Sequence, residues 1–197
     1  MNKTQVELYF RELSKAYPKK CVIILTGAAA GALYGRVRAT LDVDFEAKTR
    51  DWGAFEKAVL KISLKTGIEA QYAEDIDRWS SITLMDYQKH TFLHKQFGEL
   101  QVRLMDPEYW ALGKLARYLD SDVSDMEKVF KKKKTSWRVI AVTAGKALRK
   151  SPKSNSCFLF RQQTEDFFKR LGRKIWGKDF NQEEARQLFY KAAGIRL

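Results

Sequence analysis

Leu41-Asp42-Val43-Asp44-Phe45 alternates apolar and acidic residues, the pattern of a strand with one functional face. On a strand Asp42 and Asp44 share a side about 7 Å apart, while Val43 and Phe45 point the other way into a core. Paired carboxylates suit hard, oxygen-seeking Mg²⁺ (or Mn²⁺), which takes one or two of them together with substrate phosphates. A pair of metals so held would activate an attacking hydroxyl and neutralise a leaving pyrophosphate. An Asp-x-Asp pair alone also describes an ordinary polar strand face, so its neighbourhood matters. Upstream, the apolar run Cys21–Leu25 ends at Thr26-Gly27 and gives way to the small, helix-prone segment Ala28–Tyr34. A glycine at a strand-to-helix turn lets backbone N–H groups and the helix start approach phosphate oxygens.

Other chemistry-bearing residues are weaker. His90 and His94 stand four apart, a metal-binding spacing on a helix, but no acid follows His90 and no cysteine is near. Gly145-Lys146-Ala147 suggests a phosphate loop, yet Ile140 stands where that motif needs its first glycine. Cys21 and Cys157 each lie in apolar runs and read as reduced core thiols. Two cysteines so placed exclude a disulfide framework and a cysteine-based zinc site.

The elements that must position these residues are legible in outline. Thr4 and Glu7 form a capping box for a helix stopped by Pro18, with Val6, Phe10, Leu13 and Tyr17 on its apolar face. Trp52–Lys65 is a second amphipathic helix closed by Gly67. Ile68–Tyr72 and Ser81–Leu84 are candidate strands, Met85–Phe97 is ambiguous, and Leu100–Met105 alternates clearly. Asp106-Pro107-Glu108 starts a helix running to about Tyr118. Helices then follow over Asp122–Lys132, Ser136–Lys150, Ser154–Leu171 and Asn181–Ala193.

The order strand, glycine, small-residue helix and Arg38-x-Thr40-x-Asp42-x-Asp44 resembles the nucleotidyltransferase superfamily. More narrowly, it is similar to the minimal bacterial nucleotidyltransferases related to AbiEii-type toxins. The resemblance implies that Gly27, Ala28, Arg38 and Thr40 bind the nucleotide and that Asp42 and Asp44 hold the metal. Downstream, Pro107–Arg117 followed by Asp122 and Asp125 is similar to that family's lysine helix and aspartate motif. It implies that Lys114 neutralises nucleotide phosphates as a point charge, with Asp122 and Asp125 orienting it or accepting a proton. The resemblance covers residues 20–130, with three departures. Ala28 stands where Gly or Ser is usual, the chain is short for the family, and Leu100–Met105 offers Gln101 and Arg103 where a third carboxylate is often found.

Charge is lopsided. Residues 1–127 carry 18 Lys and Arg against 19 Asp and Glu, a net of −1, and residues 128–197 carry 19 against 5, a net of +14. A field of that sign draws polyanions. Lys131, Lys132, Lys133, Lys134, Arg149, Lys150, Lys169, Arg170, Arg173 and Lys174 are the candidate contacts, forming one exterior track. The interleaved aromatics, from Phe158 to Tyr190, read as core. No run of 18 apolar residues and no signal peptide is present, which points to a cytoplasmic protein with no membrane partner.

The expectation is therefore an α+β protein, with a nucleotidyltransferase-like small mixed sheet over 1–130 and a basic helical bundle over 131–197 packed on that core. Its expected reaction moves a nucleoside monophosphate from an NTP to a hydroxyl of RNA such as tRNA, or of protein. A toxin-like role would add an antitoxin-like protein partner. The competing readings are a catalytically inactive module that binds nucleotide or nucleic acid, and a structural scaffold.

Overall fold

The computed structural model describes residues 1–35 and 41–196, and only the backbone of Trp79. Arg38 and Thr40 lie outside the described residues. The chain divides into two compact units, one of Met1–Arg78 with Gln88–Asp106 and one of Trp79–Tyr87 with Pro107–Leu197. The boundary expected at residue 130 therefore falls at 106, because the helices after Pro107 pack with the C-terminal helices.

The first unit is an α+β layer. Its strands β1 (Cys21–Leu25), β2 (Asp42–Thr49), β3 (Glu69–Ala73), β4 (Thr91–Phe97) and β5 (Leu100–Met105) form a mixed sheet in the order β3-β2-β1-β5-β4. β1 runs antiparallel to β2 and parallel to β5, with Ile24 facing Glu46 on one side and Arg103 on the other. Three helices join them: α1 (Lys3–Ala16), α2 (Gly27–Tyr34) and α3 (Trp52–Thr66).

Strand alternation sorts the two faces. Val43, Phe45 and Ala47 are buried on one of them. Phe10 of α1 and Phe55 of α3 meet Phe45 there edge-on, at ring separations of 5.7 and 6.3 Å. Asp42, Asp44 and Glu46 lie on the other face. Gly67 ends α3 at φ +68, the left-handed cap its sequence position predicts.

Two local expectations shift. The cap of α1 is Asn2, whose Oδ1 accepts from the Gln5 N–H while its own N–H donates to Gln5 Oε1, two residues before the box read from Thr4 and Glu7. Both pairs satisfy the same pattern of a polar residue followed three later by an acid or amide, so spacing alone does not choose between them. Ser81–Leu84 is not a strand. There Ser80 and Ser151 bind the backbone N–H groups of Ile82 and Thr83, at 3.3 and 2.8 Å, in place of a neighbouring strand.

The second unit is helical: α4 (Pro107–Arg117), α5 (Asp120–Lys133), α6 (Trp137–Lys150), α7 (Asn155–Trp176) and α8 (Gln182–Ala193). Its core is aromatic. Phe130, Phe160, Phe167, Phe168, Phe180, Phe189 and Tyr190 are all buried, and Trp176 stacks on Phe180 at 5.7 Å. Of the interleaved aromatics only Phe158 is well exposed, at 60%. α6 and α8 run parallel and in close contact. Arg138 pairs with Glu184 at their starts (2.8 Å), and Arg149 lies 3.7 Å from the Cβ position of Gly194 at their ends. Between those points, a Cβ on Gly145 would stand 2.4 Å from the Phe189 carbonyl oxygen. Gly145 is thus a helix-packing glycine rather than part of a phosphate loop.

Candidate active site

Gly27 opens α2 with φ +61, a conformation that L side chains resist. A Cβ there would also stand 1.9 Å from Oδ2 of Asp44. The carboxylate thus sits directly against the Cα of the turn, and only glycine leaves it room. The backbone fixes this approach from two sides. Leu25 pairs with Phe45, and the Thr26 N–H donates to the Asp44 carbonyl at 2.9 Å. The Asp44 carboxylate therefore lies at the N-terminus of an eight-residue helix, where exposed N–H groups favour negative charge.

α2 itself is held rigidly. Ala28 to Tyr34 are all buried, and the Tyr34 hydroxyl donates to the Met105 carbonyl at the end of β5. The side chain of Ala28 is 5% exposed, so its contribution to any phosphate contact comes through its amide.

Asp42 and Asp44 are both half-buried, two residues apart on one face of β2. Their donor chemistry fits Mg²⁺ or Mn²⁺ that retains open positions for substrate oxygens. Among the described residues no group of three His, Cys, Asp or Glu forms a closed metal cage.

The alternation continues one step further than the sequence reading took it. Glu46 follows Asp42 and Asp44 on the same face and is fully buried. Its oxygens accept from the Ile76 N–H at 3.1 Å and from Lys48 Nζ at 3.2 Å, with Gln88 Nε2 at 3.4 Å. Glu46 thus ties β2 to the segments after β3 and before β4. The period-two spacing Asp42, Asp44, Glu46 was the signal that could have found it. On β5, where a third acid is missing, Arg103 donates to the side chain and carbonyl of Thr91, both at 2.8 Å. That position holds a cation committed to its neighbouring strand.

Lys114, Asp122 and Asp125 come together in the second unit. Lys114 is 3% exposed, and its Nζ contacts Asp122 Oδ1 at 2.8 Å and Asp125 Oδ2 at 3.1 Å, above the Trp110 ring at 5.4 Å. Arg117 grips Asp122 with two hydrogen bonds, at 2.7 and 2.8 Å. Burial pushes the Asp122 carboxyl up, but hydrogen bonds from Arg117 and Lys114 hold it below its ordinary value. A carboxylate so held is a poor proton acceptor. Asp122 and Asp125 thus pair with Lys114, as expected of residues that orient it, and Lys114 is buried because two carboxylates offset its charge.

The histidines do not pair. His94 lies on β4 and meets Glu7 at 3.1 Å, while His90 precedes that strand and faces Asp106 at 3.6 Å. The four-residue spacing served a helix, and the segment is extended. Cys21 is a buried free thiol whose pKa is pushed up to about 12 by burial. Cys157 is also free but only half-buried, with its Sγ 3.1 Å from the Pro152 carbonyl.

The expected single basic track is two clusters. Lys131–Lys134 are exposed where α5 ends, and Lys131 and Lys174 share Glu127 at 2.8 Å each. Arg170 is paired with Asp166 at 3.2 Å, and Arg173 is exposed one turn along. Arg149 and Lys150 stand at the other end of the α6–α8 pair, about 18 Å away along the twelve residues of α8.

No protein-family model, curated protein or solved structure matches this chain.

Proposed function

We propose that the chain is a metal-dependent nucleotidyltransferase of the AbiEii-like kind, moving a nucleoside monophosphate from an NTP to a hydroxyl acceptor. The observation that carries the reading is Asp44 seated against Gly27 at the start of α2, with Asp42 beside it on the strand. Asp42 and Asp44 would hold Mg²⁺, or Mn²⁺ in its place, which when bound supplies charge to offset the leaving pyrophosphate. The amides of Gly27 and Ala28 at the helix start bind phosphate oxygens, and the φ of Gly27 keeps that approach open. Glu46 positions β2 through Ile76 and Lys48 and takes no part in the chemistry. Lys114, Asp122 and Asp125 act as a structural ion cluster in this scheme. The acceptor is the hydroxyl of an RNA, with protein as the other class.

The test uses each α-labelled NTP with Mg²⁺ and total RNA, run beside Asp44→Asn. Label in RNA from the parent chain alone supports transfer to RNA. Label in protein alone moves the acceptor to that class. No label in either, from a chain that unfolds cooperatively, refutes the activity.

A further inference from the structure

The last turns of α7 carry Lys169 and Arg173, four residues apart, so their Cβ atoms stand about 6 Å apart on one helix face. The chain then turns through Gly177–Asp179, which adds Lys178, and enters α8. These three cations line an open cavity of about 500 Å³ at the α7–α8 corner. All three are exposed, and none makes an ion pair among the described residues.

The N-terminus of α8 lines the same cavity. Asn181 Oδ1 accepts from the Glu184 N–H at 3.0 Å, and the amides of Gln182 and Glu183 take no partner among the described residues. Two acids line the cavity, Asp179 and Glu183, and Glu183 is already paired with Arg186 at 2.9 Å. With Glu183 so paired, three lining cations face one acid, Asp179.

From this geometry we infer that the α7–α8 corner binds an RNA strand through its phosphates. Cations together with free helix-start amides match a compact tetrahedral anion. The cationic surface continues past the corner, through Lys174 and its shared Glu127 to Lys131 and Lys132 on α5 and Lys134 at its end. That strip offers successive contacts, as a polyphosphate strand requires and a single small anion does not. Among the described residues lining the corner the one ring is Phe180, which at 7% exposure offers no stacking face or apolar anchor. A protein or membrane partner would want such an anchor, whereas phosphate contact needs none and carries no base preference.

The inference rests on the RNA arm of the acceptor proposed above. Binding is measured without nucleotide or metal, so its failure is distinguishable from failure of the transfer reaction. The probe is a fluorescently labelled single-stranded RNA, titrated with the full chain at several salt concentrations. Lys169→Ser/Arg173→Ser/Lys178→Ser is compared with Lys146→Ser/Arg149→Ser/Lys150→Ser, which removes the same charge at the far end. The corner variant should bind at least tenfold more weakly, with a salt slope reduced by about 2, at roughly 0.7 per phosphate contact. The far-end variant should stay within about twofold of the parent. Equal losses in the two variants would reduce the effect to bulk charge and overturn the assignment. So would absence of RNA binding by the parent at low salt, or equal competition by poly-glutamate, which would point to an acidic protein.

Discussion

Two clusters of carboxylates, one in each unit, put the same residue types to opposite uses. Asp42 and Asp44 lie half-buried on a strand face against a helix start. Asp122 and Asp125 lie 0% and 1% exposed between α4 and α5, around the ammonium of Lys114. In the first cluster the carboxylates stay partly exposed, Asp44 against the glycine turn, and suit a metal ligand. In the second, burial would cost each charge several kcal/mol, and the cations offset that cost. Motif content does not separate these roles; burial and charge balance do.

The largest effect that could break this comparison is at Lys114. Lys114→Ala would take the shared ammonium away from two buried carboxylates, and urea unfolding should show a loss of about 3–5 kcal/mol. Asp42→Asn, at its half-buried strand position, should cost no more than about 1 kcal/mol while abolishing label transfer. Similar unfolding midpoints for the two variants would erase the distinction between structural and ligand carboxylates.

Gly27→Ala comes next. A left-handed φ costs a residue with a side chain about 1–2 kcal/mol, and the new methyl must also displace Asp44. The sum should be about 2–3 kcal/mol. In an Asp44→Ala background the carboxylate collision is gone and only a tight Cβ contact of 3.0 Å remains, so the same substitution should cost about 1 kcal/mol less. Strict additivity would show that Asp44 does not press on Gly27 in solution.

Arg117→Gln sharpens the second cluster. Asp122 is held below its ordinary pKa, so it adds stability above that value, and the share is lost as pH falls through the lowered one. Losing the bidentate contact from a half-exposed arginine should cost about 1 kcal/mol at neutral pH. It should also flatten the decline in stability on acidification below about pH 4. An unchanged acid limb would mean that Lys114 alone sets the Asp122 charge.

The smallest effect belongs to the exposed lysines. Changing Lys131–Lys134 to Ser removes the surface ion pair of Lys131 with Glu127, and thermal melting should move by no more than about 0.5 kcal/mol. A larger loss would place those residues in the folding of α5 rather than on its surface.

Much of the frame was written locally. Strand β5 matches the alternation from Leu100 to Met105, and α3 ends at Gly67 as its position required. Asn181 caps α8 through the Glu184 amide, and Gly194 ends it at φ +70. These features depend on neighbours within four residues, which is why spacing exposes them. Ser81–Leu84 was misread because its apolar residues carry no information about whether a neighbouring strand exists.

What the sequence determined by itself was the face of β2 on which Asp42 and Asp44 stand, and the glycine at the turn before α2. Period-two alternation and positive φ are properties of the local chain. Only the tertiary structure decided that Asp44 touches Gly27, that Glu46 is spent on Ile76 and Lys48, and that Lys114 is buried. It also split the basic residues into two clusters, by setting α6 parallel to α8. Those outcomes turn on strand pairing and helix packing between distant segments. The fate of a charge depends on what those segments bring beside it, and residue type alone does not contain that.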